Sequence, residues 1–490
     1  MKQFLPFLVT VLLLAVFTRV QGAVELQDRI SVSAFGAKGN GICDDTSAIQ
    51  KALDAVAQSG GGAVVVPSGT FVITAPVSLG ANCTLEGVSG ASVLKWSGAV
   101  WTNTEANIRI GVMINITGKA NVRIANLVFD AGGADLHVIR MENGIDTTPL
   151  VIENNRFQNL SRASVSNRFA RSLAIALSGG RTFTRNNTCD GASSDAFNYN
   201  NGWHLVSDNI ILNGEDGGIA FNNGAHGIIS GNWLFNCDLG IGMGHPGSVE
   251  QSKDNSTTIT GNTFEQCAYG INMGWFGYKG LGSPRNWTIS GNVFKNSACR
   301  DINYDGPTTN FAANGAISGN SSYRVGSSRH RNFRHAERGN PTSATFARLI
   351  NCDNVTVIGN TVVEPQAKGS LLTLGGSTDI IIANNLFRAT TAVQQLSAIF
   401  LDHANGITVS ANRATGAFDY FLLSETTSPV TDLHINDNVV ESYRTHALSI
   451  GGLLSKAEIL DNRFTPAKGA GNVIHCPAIS AEVFIRNRQP

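Results

Sequence analysis

An all-β chain wound into a parallel β-helix, closed at its start by a short helix, follows from three features of the sequence. An Asn returns every 22 to 40 residues, at Asn126, Asn155, Asn187, Asn209, Asn232, Asn262, Asn292, Asn320, Asn360, Asn385, Asn412, Asn438 and Asn462. Two places after it stands a residue that is mostly large and apolar: Phe157, Ile211, Leu234, Phe264, Phe294, Val362, Phe387, Val440 or Phe464. Between copies, short β-branched runs alternate with Gly and Asn, and no long helical pattern appears after the N-terminal part. A unit of this length buries its apolar face only by stacking on its neighbours, which makes a solenoid. Asn suits the bends because it tolerates the left-handed conformation and its amide bonds the same amide one coil above and below. The repeating asparagines are therefore structural.

From the N-terminus, Lys2 precedes an apolar stretch from Phe7 to Phe17 that is too short to span a bilayer, and Val20 and Gly22 are small enough for cleavage before Ala23. Residues 1–22 read as an export signal. Residues 23–490 read as one domain with no Pro- or Ser-rich linker, in which about 30–75 form a cap and first strands and about 120–465 the regular coils. In the cap, Asp45 or Thr46 starts a helix whose apolar face is Ile49, Leu53 and Val56, and the glycines from Gly60 end it before a strand from Ala63 to Val66. Such a helix covers the open end of the solenoid.

With 53 Gly, 15% charged residues and a formal charge of zero, the chain is folded and carries no field for nucleic acid. Eight cysteines are too few for a disulfide scaffold; Cys237 and Cys267 each follow their repeat Asn by five residues and stack on consecutive coils. No Cys-x-x-Cys occurs, and no cofactor is called for. Sequons begin at Asn82, Asn115, Asn159, Asn186, Asn255, Asn286, Asn320 and Asn354, and matter only if the host glycosylates.

The stretch Val32-Ser-Ala-Phe-Gly-Ala-Lys-Gly-Asn-Gly-Ile-Cys-Asp-Asp-Thr-Ser-Ala-Ile-Gln-Lys-Ala-Leu53, followed by Gly60-Gly-Gly-Ala-Val-Val-Val-Pro-Ser-Gly-Thr-Phe71, resembles the opening of the pectate-lyase-like superfamily of rhamnogalacturonases, polygalacturonases, alginate epimerases and phage tailspike depolymerases. The resemblance, with the usual hand of parallel crossovers, implies a right-handed single-stranded parallel β-helix. It does not choose a reaction.

Five coils align on the strand that follows each Asn, and alternation turns Phe197, Ile219, Ile241, Ile271 and Ile302 inward, with Tyr199, Phe221, Met243, Met273 and Tyr304 in the next inward column. The outward columns hold Asn198, Asn200, Asn222, Asn272, Asn303, Asp301 and Asp305, a polar face suited to a polyhydroxylated chain and equally to plain solvent. Asp195, the pair Glu215 and Asp216, and Asp238 stand at the start of this strand on three successive coils. Strands lie about 4.8 Å apart, which brings such carboxyls within the roughly 5 to 9.5 Å used by glycosidases. The competing reading is that each Asp bonds a local turn. Polygalacturonases carry Asn-Thr-Asp, then Gly-Asp-Asp, Gly-His-Gly and Arg-Ile-Lys. Here Ser193-Ser194-Asp195 and Gly214-Glu215-Asp216 match at similar spacing, while Asp238-Leu239-Gly240 replaces Gly-His-Gly and no Arg-Ile-Lys follows. The pattern departs from that of a standard polygalacturonase and leaves a divergent hydrolase relative open. The Asp-Pro-His of alginate epimerases falls near Asn198-Tyr199-Asn200, which argues against their mechanism.

Two insertions frame this face. Trp275 and Tyr278 offer sugar-ring platforms or loop packing, and His245 at a strand exit is an acid, a base or a surface His. The second insertion, 321–349, gathers Arg324, Arg329, Arg331, Arg334, Arg338 and Arg348 with His330 and His335 against Glu337 alone. It suits carboxylated or sulfated sugars, with Arg331 and Arg334 at its centre. The sequence therefore predicts a secreted protein, extracellular or periplasmic in a Gram-negative host, that acts on a polysaccharide. The first choice is a glycoside hydrolase with Asp195, Glu215, Asp216 and Asp238 as the acid and base pool and Asn198, His245, Asn272, Trp275, Tyr278, Asp301, Arg331 and Arg334 as substrate contacts. A polyuronide lyase or epimerase is the enzymatic alternative, and a binding or adhesive β-helix the non-enzymatic one. A monomer and a side-by-side trimer both suit an open-ended solenoid, with no membrane span.

Overall fold

The computed structural model describes residues 29–98, 111–145, 149–161, 172–244, 256–274, 283–307, 312–327, 345–425, 429–480 and 482–488. Residues 1–22, which the sequence reads as an export signal, lie outside them. Strands pair in parallel, each with the strand one coil away, and form a 15-stranded and a 33-stranded sheet that wrap a right-handed β-helix. The single α-helix among the described residues, α1 (Thr46–Gln58), packs Ile49, Ala52, Leu53 and Val56 onto the first coils. Asp45 occupies its N-cap position without capping it. Its carboxylate instead accepts from Lys38 N at 2.6 Å and Gly39 N at 3.1 Å, and Asp44 takes the Thr46 N–H at 3.0 Å. The following strand runs Gly62–Val66, one residue longer than the sequence suggests.

The Asn column is a hydrogen-bonded ladder along the bend of the larger sheet. From Asn155 to Asn462 each buried Nδ2 donates to Oδ1 of the next Asn at 2.9–3.1 Å, and the ladder runs one step further, to Asn487. Net stabilisation is about 1 kcal/mol per bond, and the larger effect is that each buried amide of the ladder is satisfied. The left-handed conformation, however, belongs to the residue before the ladder: Asn154, Asn186, Asp208, Gly231, Gly261 and their successors carry the positive φ. Asn126, with φ of 61°, is one of these, and Leu127 stands in the ladder position, donating its N–H to Asn155 Oδ1. Two adjacent residues thus divide what the sequence assigns to one. The sequon at Asn320 falls on the buried ladder.

The smaller sheet carries the face of interest. Its strands are β1 (Leu136–Gly144), β2 (Leu173–Gly179), β3 (Asp195–Asn200), β4 (Gly217–Asn222), β5 (Leu239–Met243), β6 (Tyr269–Met273), β7 (Arg300–Asp305) and β8 (Thr345–Ile350). Phe197, Ile219, Ile241, Ile271 and Ile302 pair in register and are buried, as are Tyr199, Phe221, Met243, Met273 and Tyr304. Cys237 and Cys267 stack inside as buried free thiols, and burial pushes the Cys267 thiol well up.

Asp301 does not face outward. It is 1% exposed and points into the core, because the chain bends between Asp301 and Ile302 so that two successive residues turn inward. On earlier coils this place is Gly240 or Gly270, where a Cβ would sit 2.5 Å from Phe264 or Phe294. On the coil of Asp301 the aromatic column passes to Ser322, whose small side chain leaves room for a carboxyl and whose hydroxyl donates to Oδ2.

Candidate functional site

In-register pairing lines up one outward column: Arg140, Ala176, Asn198, Ala220, Gly242, Asn272, Asn303 and Arg348. Side-chain bulk along it decides the relief. Ala220 and Gly242 are small between Asn198 and Asn272, so an open recess forms over them, lined also by Asp195, Asp216, Asn222 and Asn272. Gly242 is the floor; a Cβ there would meet nothing closer than Leu239 at 3.5 Å.

Asp195 is fixed from two directions. Asn198 Nδ2 donates to its Oδ2 at 2.9 Å, Asn200 Nδ2 donates to Asn198 Oδ1 at 2.7 Å, and Asn223 Nδ2 donates to Asn200 Oδ1 at 2.8 Å. Below, Asp195 pairs in register with Gly217, and its Oδ1 lies 2.4 Å from where a Cβ of residue 217 would stand. Gly217→Ala is therefore expected to displace the Asp195 carboxylate, a movable side-chain end, while leaving the fold intact. A misplacement of about 1 Å costs roughly 100-fold where geometry governs the rate. Equal activity of Gly217→Ala and wild type at equal melting temperature would remove Asp195 from the chemistry.

The far wall is cationic. Asn272 Oδ1 accepts from Asn303 Nδ2 at 2.9 Å, and Asn303 Oδ1 accepts from Arg300 at 3.0 Å and Arg348 at 3.3 Å. Arg348 also bridges Asp305 at 2.9 Å, and the Arg300 guanidinium lies 5.7 Å from the Tyr269 ring centre. Burial lowers Arg300 from its ordinary value and pushes Tyr269 up to about 12, so Tyr269 is no base near neutrality.

Of the residues singled out from sequence, Asp195, Asp216 and Asn272 line the recess, and Asn198 holds Asp195 from the next hollow along. Glu215 is half-buried one residue aside and does not line it. Asp238 is fully buried with its carboxyl in the field of Tyr269 and Cys299, away from the recess, since it precedes the outward-facing Leu239. Asp301 lies in the core. His245, Trp275, Tyr278, Arg331 and Arg334 fall outside the described residues. Asn222 joins the site, and Arg140, His137 and Arg300 extend it; the register of Arg140 with Asn198 two coils on was the signal for the first of these. Among the described residues no group of three or more His, Cys, Asp or Glu could hold a metal ion, and no helix is long and apolar enough to cross a membrane.

The family described as rhamnogalacturonase A/epimerase, pectate lyase-like, matches residues 29–299. The chain belongs to this family. Its members are carbohydrate-active β-helices, and the matched span carries α1 and the acidic recess from Asp195 to Asn272. Among curated relatives, the preneck appendage protein of Bacillus phage PZA is 28% identical over 145 residues, 29% of this chain and 15% of the phage protein. The plasmin and fibronectin-binding protein A of Streptococcus pneumoniae is 46% identical over 66 residues, 13% of this chain and 9% of that protein. The chain thus matches only a small part of either relative. In fold it is similar to a mutant tailspike protein of E. coli bacteriophage HK620 in complex with a pentasaccharide, at a TM-score of 0.53 and 12% identity, over 93% of this chain and 80% of that one.

Proposed function

We propose that this protein is exported by its N-terminal segment and hydrolyses glycosidic bonds of an extracellular polysaccharide in the recess of Asp195 and Asp216. The observation that carries the reading is two carboxylates from adjacent coils in one open recess. Adjacent strands stand about 4.8 Å apart, which suits the paired-carboxyl chemistry of glycosidases. Asp195, held by the Asn198 amide, is the base that activates the attacking water, and Asp216 is the proton donor to the glycosidic oxygen. Asn222 and Asn272 offer amides to sugar hydroxyls, and the phage tailspike of similar fold holds a pentasaccharide.

Arg300 on the flank favours a second reading, elimination on a polyuronide, in which a cation binds the carboxylate; Arg348 beside it is paired with Asp305. The two part in one assay on neutral, uronic and sulfated polysaccharides that follows reducing ends and absorbance of an unsaturated uronide together. Reducing ends alone support hydrolysis; both signals move the chemistry to a lyase. Binding with neither signal makes the groove an adhesive surface.

A further inference from the structure

Asp195 and Asp216 reach the recess from adjacent coils, and two acids so alike need something to tell them apart before one serves as base and the other as acid. The backbone of β3 supplies it. Ala196 and Phe197 both turn into the core, so Asp195 and Asn198, three places apart, come out on the same face, and Asn200 follows two places on. The three side chains then meet in a line: Asn200 Nδ2 donates to Asn198 Oδ1 at 2.7 Å, and Asn198 Nδ2 donates to Asp195 Oδ2 at 2.9 Å. The far end of the line is held by the next coil, where Asn223 Nδ2 donates to Asn200 Oδ1 at 2.8 Å. Asn223 stands in the turn after β4 with φ of 50°, so the left-handed backbone sets its place.

The line has one sense. An ionised carboxylate only accepts, so Asn198 turns Nδ2 to Asp195; its Oδ1 then faces Asn200, whose own Oδ1 is left for Asn223. Turning any one amide over would set oxygen against oxygen, and hydrogen bonds in series strengthen one another. A donor fixed on the charged form of an acid favours that form. We infer that Asn200 and Asn223 are positioning residues, which lock the Asn198 amide with its nitrogen toward Asp195 and so decide that Asp195 is the ionised base of the pair. The inference rests on the hydrolase function proposed above and adds to it the means by which two carboxylates in one recess take different roles. The other charged groups around Asp195 are Asp216 and Glu215 on the next coil, and Arg140 and Glu142 across Asn198, which pair with each other. A change at Asn200 or Asn223 alters none of these charges.

The test follows the Asp195 carboxyl carbon by NMR in the full chain labelled with ¹³C-aspartate, the signal being assigned by its loss in Asp195→Asn. Asn200→Ala removes the middle amide. Asn223→Gly removes the anchor, keeps the left-handed backbone and serves on its own if Asn200→Ala does not fold. Asn200→Ala is expected to raise the pH midpoint of the Asp195 carboxyl by about one unit, and Asn223→Gly to raise it by less. The acid limb of kcat/KM on the polysaccharide found active reports the base of the free enzyme and is expected to move by the same amount. A line of amides that only braces the fold would lower the melting temperature and leave the midpoint where it was. An Asp195 midpoint that stays put in the folded variants therefore overturns the inference and leaves the hydrolase standing. A midpoint that moves while the acid limb does not overturns Asp195 as the base, and with it the role of the line. No turnover on any polysaccharide of the panel overturns the hydrolase reading and this inference together.

Discussion

Asp216→Asn is expected to lower turnover on the polysaccharide found active by about 10²–10⁴-fold, the range that a positioned proton donor contributes. The side chain lines the open recess and is half-buried, and the backbone carbonyl accepts the Leu239 N–H at 3.1 Å. An amide of the same size keeps that bond, so the melting temperature should hold. Glu215→Gln is the matched control: same turn, same charge change, outside the recess, and expected to stay near wild-type activity. If Glu215→Gln is the inactive variant and Asp216→Asn the active one, the two acids have exchanged roles and the recess is not where the bond breaks. Gly217→Ala bears on the same point from the other carboxylate, since it moves Asp195 without altering any charge.

The sequence announced the solenoid because its period is written in a single residue type, and a ladder of amides tolerates few substitutes for Asn. It misplaced Asn126 by one position, because Asn also serves in the left-handed residue before the ladder, and dyads such as Asn154-Asn155 and Asn186-Asn187 do not say which member does which. At the site, register carried Asp195, Asp216 and Asn272 to one recess, since parallel coils in register keep equivalent residues side by side. Alternation failed at the strand starts. There the chain bends, Ala196 and Phe197 or Asp301 and Ile302 turn inward together, and strict period two points Asp301 at solvent. The hollow beside Asn198 was illegible for another reason: it exists because Ala176 is small beside Arg140 and Asn198, and the contrast of volumes appears only when the coils are stacked.

The inward turn of Asp301 sets the largest expected effect on stability. Burial raises its carboxyl from 3.8 to about 7, with the nearby hydroxyls of Ser297 and Ser322 offsetting only part of the desolvation, and among the described residues Oδ1 has no hydrogen-bond partner. Between about pH 4 and 7 the unfolded chain has lost this proton and the folded chain keeps it. Folding therefore binds a proton, and stability falls as pH rises through that window. Full passage from 3.8 to about 7 corresponds to on the order of 4 kcal/mol. Asp301→Asn removes the titration but keeps the shape and an acceptor for Ser322. The variant is expected to be several kcal/mol more stable than wild type near pH 8, to lose its advantage as pH falls, and to match wild type near pH 4. Urea unfolding of both proteins across that range reads the difference directly, because every other titrating group is common to the two. A constant gap at all pH values would mean that Asp301 is ionised in the folded chain and that Ser322 and its surroundings solvate it. A gap that closes on acidification means instead that this core, in exchanging Phe for Ser in one coil, has lodged a neutral carboxylic acid beneath the groove, so that alkaline conditions loosen the same coils that carry Asn272 and Arg300.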